Sequence, residues 1–126
     1  MSSSTIFTKG APPPLGPYSQ GIKIGELIFV SGQIPIDPKS GEMVRGDVEL
    51  QIRQVLENIR AILEAGGSSL KKVVKMSVFL TDLKNTSEVN TVFEKYFKEQ
   101  RPAREMVEVS QLPGQAALEI SAIALS

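Results

Sequence analysis

Between positions 48 and 63, Val48, Ile52, Val55, Leu56, Ile59, Ile62 and Leu63 recur at steps of three and four. That rhythm puts them on one wide stripe of an α-helix. Asp47 stands where an N-cap is needed and Gly66-Gly67 stops the pattern, so the helix is predicted to run to about Ala65. A second stripe, Val89, Val92, Phe93, Tyr96 and Phe97, predicts a shorter helix to about Lys98. Asn85, with Glu88 three residues on, resembles a capping arrangement at its start.

Alternation replaces this rhythm elsewhere. Val74, Met76, Val78 and Leu80 predict a strand over 72–80 with those side chains on one face, and Leu118, Ile120, Ala122 and Ala124 do the same over 118–125. A strand over 103–110 precedes the last one, linked to it through a Pro113-Gly114 turn. Residues 20–24 and 27–30 read as the arms of a hairpin around Gly25-Glu26. Its second arm is a continuous apolar run, which predicts a strand covered on both faces. The stretch 10–17, with prolines at 12, 13 and 14, reads as an ordered loop leading into that hairpin. The element order is therefore β-β-α-β-α-β-β. Two one-sided helices and several strands make an α+β domain over residues 1–126, one sheet with both helices on one face.

Composition narrows the chemistry. Fourteen basic residues balance fourteen acidic ones, which disfavours general binding to a nucleic-acid backbone. The chain has no cysteine and no histidine. Thiol catalysis, zinc sites on thiolate or imidazole, and every Ser-His or Cys-His arrangement are thereby excluded. Chemistry is left to carboxylates, Arg, Lys, hydroxyls, amides and the backbone. No apolar stretch approaches the roughly 18 residues of a membrane span. The N-terminus lacks the basic start and apolar run of a secretory signal, so a cytoplasmic protein is expected.

Strand parity then points to a site. If apolar Val107 and Val109 meet the helices, Arg104, Met106 and Glu108 point the other way. Since Leu118, Ile120, Ala122 and Ala124 form the uniformly apolar set of the last strand, Glu119 also faces away. Arg104 and Glu119 are thus expected on the same helix-free face. Met106, Ile123 and Leu125 make that face too apolar for water, which predicts a homo-oligomer covering it. The plain alternative for Arg104 is an interfacial salt bridge.

Several segments resemble those of one family. They are Gly16-Pro-Tyr-Ser-Gln20, Val30-Ser-Gly-Gln33 with Ile34-Pro35, Pro102-Ala-Arg104, and Val107-x4-Leu112 leading to Leu118-Glu-Ile120. In order and spacing the chain is similar to the Rid/YjgF family of enamine/imine deaminases, nearest to its RidA branch. The resemblance implies a chorismate-mutase-like fold with a mixed sheet, assembled as a homotrimer with clefts between subunits. It implies hydrolysis of 2-iminobutanoate and 2-iminopropanoate to 2-keto acids and ammonia, with no metal or organic cofactor. It matches Arg104 to a carboxylate-binding arginine and Glu119 to the acid that positions water. Tyr18, Ser31, Gly32 and Asn90 match cleft-lining positions, and Met106 a position used through its backbone carbonyl. Glu105 and Arg101 depart from the family pattern and put extra charge in sequence beside Arg104.

These residue types suit that chemistry. Arginine's planar fork gives a carboxylate two parallel charge-assisted bonds. A glutamate can take a proton from water and return it to the departing amine. Burial between subunits would raise its pKa while a nearby Arg104 would lower it. Each lining residue has a bland alternative. Tyr18 can pack on the proline loop, Gly32 can mark a bulge, and Asn90 can be a polar boundary residue of its helix. Two rival functions stand beside the deaminase: a module that holds keto acids or related carboxylates without turnover, and an RNA-directed role. The absence of net charge and of histidine counts against the second.

Overall fold

The computed structural model describes residues 2–126. Among these, six strands form one sheet: β1 (Ser3–Ile6), β2 (Gly21–Ile24), β3 (Leu27–Gln33), β4 (Val73–Leu80), β5 (Ala103–Glu108) and β6 (Leu118–Leu125). They lie in the order β1-β2-β3-β6-β4-β5, with β4 and β5 parallel and the other neighbours antiparallel. Two helices, α1 (Val48–Ala65) and α2 (Thr86–Tyr96), cover one face. This is the expected mixed α+β architecture, with one strand more. β1 is a short, Ser-rich edge strand that carries no apolar alternation by which to be seen.

α1 forms as its pattern dictates. Asp47 Oδ1 accepts from the N–H groups of Glu49 and Leu50 at 2.9 and 3.4 Å, and Gly67 closes the helix at φ +85°. Ile52, Val55, Leu56, Ile59, Ile62 and Leu63 are wholly buried. The start of α2 differs from expectation, because the Asn85 side chain makes no capping bond. The chain enters through a short 3₁₀ turn instead. Asp82 accepts from Lys84 N–H at 2.9 Å, and Thr86 Oγ1 donates to the Leu83 carbonyl at 2.6 Å. The helix ends at Tyr96, and Phe97 just beyond it is still buried.

The core lies between the helices and the sheet. Ile28 and Val30 of β3 face it, as do Leu118, Ile120, Ala122 and Ala124 of β6. In β4 the register slips between Val73 and Lys75. This bulge makes Val73, not Val74, the first core residue, ahead of Met76, Val78 and Leu80. The apolar run of β3 is not covered on both sides within one chain: Leu27 and Phe29 face outward, and Phe29 is 41% exposed.

The parity assignment of β5 is overturned. Register pairs Arg104 with Met76 and Met106 with Val78, so both lie on the helix-covered side. Met106 packs against the core, its sulfur 3.6 Å from Thr86 Oγ1, while Val107 points outward at 42% exposure. Glu119 is paired with Phe79, one step out of phase with Val78, and faces away from the helices as expected. Within one chain, Arg104 and Glu119 therefore lie on opposite faces of the sheet. The helix-free face remains apolar, carrying Leu27, Phe29, Val107 and Leu125.

Candidate functional site

Glu119 sits in a cleft of about 190 Å³. One wall is Pro12, Pro13, Pro14 and Leu15, another is Ile34 and Ile36, and Tyr18 and Gly32 line it as well. The pairing of β3 with β6 is irregular between Val30 and Gln33, and at this bulge the Glu119 carboxyl lies directly against the Gly32 backbone. A Cβ at Gly32 would fall 2.8 Å from Glu119 Cδ. The bulge reading of Gly32 holds, and the side chain packed against its backbone is Glu119. No ion pair among the described residues involves Glu119. Burial alone raises its carboxyl above the usual value.

The neighbouring polar groups are held in place. Ser31 donates its hydroxyl to the Ser19 carbonyl at 2.6 Å, and its N–H to the Gln20 carbonyl at 2.9 Å. The Tyr18 phenol oxygen accepts from Leu15 N–H at 3.2 Å; among the described residues no acceptor takes its own proton. Tyr18 therefore packs over the proline loop and lines the cleft, uniting its two readings. Gln20, also in this lining, is wholly buried and bonded to the loop backbone. Apolar periodicity gave no sign of it. The usable signal was a run of prolines, which lack N–H groups, followed by a side chain able to donate.

Arg104 occupies a second cleft of about 360 Å³, with Asn90, Phe93 and Phe97 along one side and Arg101 and Pro102 along the other. Its guanidinium carbon lies 5.2 Å from the centre of the Phe93 ring. Such stacking steadies the fork and leaves its N–H edge open. No carboxylate among the described residues pairs with it. Asn90, an exposed residue of α2, lines the same cleft as Arg104.

The two departures separate. Arg101 lines the cleft but is paired with Glu94 at 3.1 Å, both side chains well exposed. Glu105 turns to the opposite face, where Lys75 at 2.8 Å and Ser77 hold its carboxyl below the usual range. It adds no charge to the Arg104 cleft.

The site residues therefore fall into two groups on opposite faces. Tyr18, Gly32 and Glu119, with Ser31 adjacent, form one; Arg104 and Asn90 form the other. The Met106 side chain lines neither cleft. One group supplies a carboxyl able to hold or accept a proton in an apolar cleft, the other an unpaired cation shaped for a carboxylate.

Residues 8–126 match the family described as endoribonuclease L-PSP. The chain is 57% identical over 119 residues to a RutC family protein of Pyrococcus horikoshii, a match that covers 94% of each chain. It is 47% identical to the 2-iminobutanoate/2-iminopropanoate deaminase of Escherichia coli, covering 98% of each. Among solved structures, Escherichia coli TdcF with bound serine superposes with a TM-score of 0.93 at 43% identity, again over 98% of each chain.

Proposed function

This chain belongs to the Rid/YjgF family, and from that premise we propose that it is a cytoplasmic 2-iminobutanoate/2-iminopropanoate deaminase. The observation that carries this reading is the pair of uncommitted groups: the Arg104 guanidinium, and the half-buried Glu119 carboxyl whose proton affinity burial has raised. A 2-imino acid needs both. Arg104 binds its carboxylate through two parallel N–H···O bonds. Water attacks the carbon of the protonated imine while Glu119 takes a proton from that water, giving a carbinolamine. The protonated Glu119 returns the proton to the amine and the C–N bond breaks; Glu119, ionised again, takes the remaining hydroxyl proton and passes it to the departing ammonia, so that keto acid and ammonium leave. Holding the imine beside a bound water supplies proximity, which needs no histidine.

One copy of the chain does not bring the two groups together, because they lie on opposite sheet faces. In the proposed assembly, a homotrimer, Arg104 of one copy meets Glu119 of the next across each subunit contact. The outward Leu27, Phe29, Val107 and Leu125 supply the apolar packing surface. Bound serine in the TdcF relative favours a site for small amino-acid-like carboxylates, and it also keeps the non-catalytic binding module as the second reading. Glu119 separates the two, since holding one anion does not call for another anion beside it.

The test is ammonia and keto-acid release from 2-iminobutanoate formed in place from threonine by a dehydratase. Wild type should accelerate release and Arg104→Ala should not, since losing one partner of a buried charged contact costs about 2–5 kcal/mol. No acceleration by wild type, together with binding of 2-ketobutanoate, would favour the binding module.

A further inference from the structure

β1 pairs with β2 as far as Ile6 opposite Gly21. Beyond that point the backbones part, and the side chain of Gln20 takes the place of the missing ladder. Its Oε1 accepts from Thr8 N–H at 2.7 Å, while Nε2 donates to the carbonyls of Thr8 at 3.0 Å, Pro12 at 2.9 Å and Ala11 at 3.3 Å. A carboxamide carries the donor and acceptor of a peptide group, so it can stand in for a strand partner. At 1% exposure it is shielded from competing water.

The loop held in this way has little means of holding itself. Pro12, Pro13 and Pro14 have no N–H to donate, and the bonds from Gly10 N–H to Thr8 Oγ1 and from Leu15 N–H to Tyr18 are exposed. The base of the anchor is firm, because Ser31 of β3 bonds to the carbonyls of both Ser19 and Gln20. The same prolines form a wall of the Glu119 cleft.

We propose that Gln20 is a positioning residue for this cleft. Its carboxamide fixes the proline wall, and through that wall the width of the cleft and the placement of Tyr18. Glu119 is seated independently, on β6 and over Gly32. Gln20 thus sets how tightly substrate is held and leaves the chemical step largely alone. The kinetic part rests on the deaminase reading; the ordering of the loop does not.

The test compares Gln20→Leu and Gln20→Glu with wild type in the full-length protein. Ser68→Ala serves as a control, removing a buried hydroxyl that bonds the Leu125 carbonyl. In Gln20→Leu the KM for 2-iminobutanoate should rise about tenfold or more while kcat stays within about twofold. The amides of Gly10, Ala11 and Leu15 should exchange hydrogen faster, and Ser68→Ala should move neither readout. A purely structural role would instead lower kcat through a smaller folded fraction with KM unchanged, and that result would overturn the proposal. If Gln20→Leu fails to fold, Gln20→Glu is judged by the same readouts, since it keeps the bond from Thr8 N–H and loses the donation to the carbonyls. Should wild type show no turnover, the deaminase reading fails alone. Gln20 is then judged by 2-ketobutanoate affinity and loop exchange, and no change in both would refute its role.

Discussion

A single methyl group at Gly32 should separate the chemistry of Glu119 from the stability of the fold. The added Cβ would lie 2.8 Å from Glu119 Cδ and 3.1 Å from Cγ, well inside the roughly 3.5–4.0 Å of a comfortable carbon contact. Gly32 does not adopt a positive φ, so alanine brings no backbone strain and the burden falls on Glu119. Because Cγ is approached as well as the carboxyl, spinning the carboxyl about its last bond does not relieve the clash. The side chain must shift as a whole. Overpacking of this kind costs about 1–3 kcal/mol, which a thermal melt would register as a drop of several degrees. A reacting group displaced by about 1 Å loses on the order of 10²-fold in rate. Gly32→Ala should therefore remain folded, retain 2-ketobutanoate binding through Arg104, and lose about 10²-fold in kcat for 2-iminobutanoate in the coupled dehydratase assay. A kcat within about twofold of wild type, well below that loss, would refute the placement of the reacting proton on Glu119.

Three further outcomes follow from the same geometry. Phe29→Glu puts a charge in the middle of the outward apolar face and should reduce the particle to a 13.7 kDa monomer in size-exclusion light scattering; an intact oligomer would rule that face out as the packing surface. Asn58→Ala removes a wholly buried amide that donates to the carbonyls of Ile34 and Ile36, the latter at 3.0 Å. The Ile34 carbonyl keeps the N–H of Ile36 at 2.7 Å, but the half-buried Ile36 carbonyl loses its partner, which should cost about 1–3 kcal/mol in urea unfolding. Burial raises the Glu119 carboxyl above its ordinary 4.5, so the folded chain binds that proton more tightly than the unfolded one. Stability from this group is then greatest below 4.5 and declines as pH rises through the raised value. In the Arg104→Ala background, where no guanidinium opposes burial, Glu119→Gln should melt higher than its parent at alkaline pH, and the gain should vanish in acid.

Much of the fold was legible because α1, α2 and β6 each bury a single face, and a single buried face leaves an unambiguous period. The Asp47 cap and the hairpin were equally local. β5 misled because apolar and polar residues occur on both of its faces. Val107 looks like a core residue yet faces outward, whereas Arg104 is on the helix side because its guanidinium stacks on Phe93 at the sheet edge. A charged side chain that reaches solvent along an aromatic ring breaks the parity rule. Val74 failed for a different reason, a bulge that pattern alone does not reveal. Glu119 and Gly32 were legible as separate candidates, but their contact depends on a register shift in β3. The Gln20 anchor is a side chain doing a backbone's work, and no periodicity reports that.

The most direct test is complementation between two inactive variants. Arg104→Ala keeps Glu119, and Glu119→Gln keeps Arg104. Each should lack turnover alone, yet when refolded together some subunit contacts would join an intact Arg104 from one copy to an intact Glu119 from the next. Random mixing at equal amounts should restore about a quarter of the wild-type rate on 2-iminobutanoate, since each cleft draws one residue from either neighbour. Mixed oligomers verified by mass that show no recovered turnover would contradict a deaminase site shared between copies.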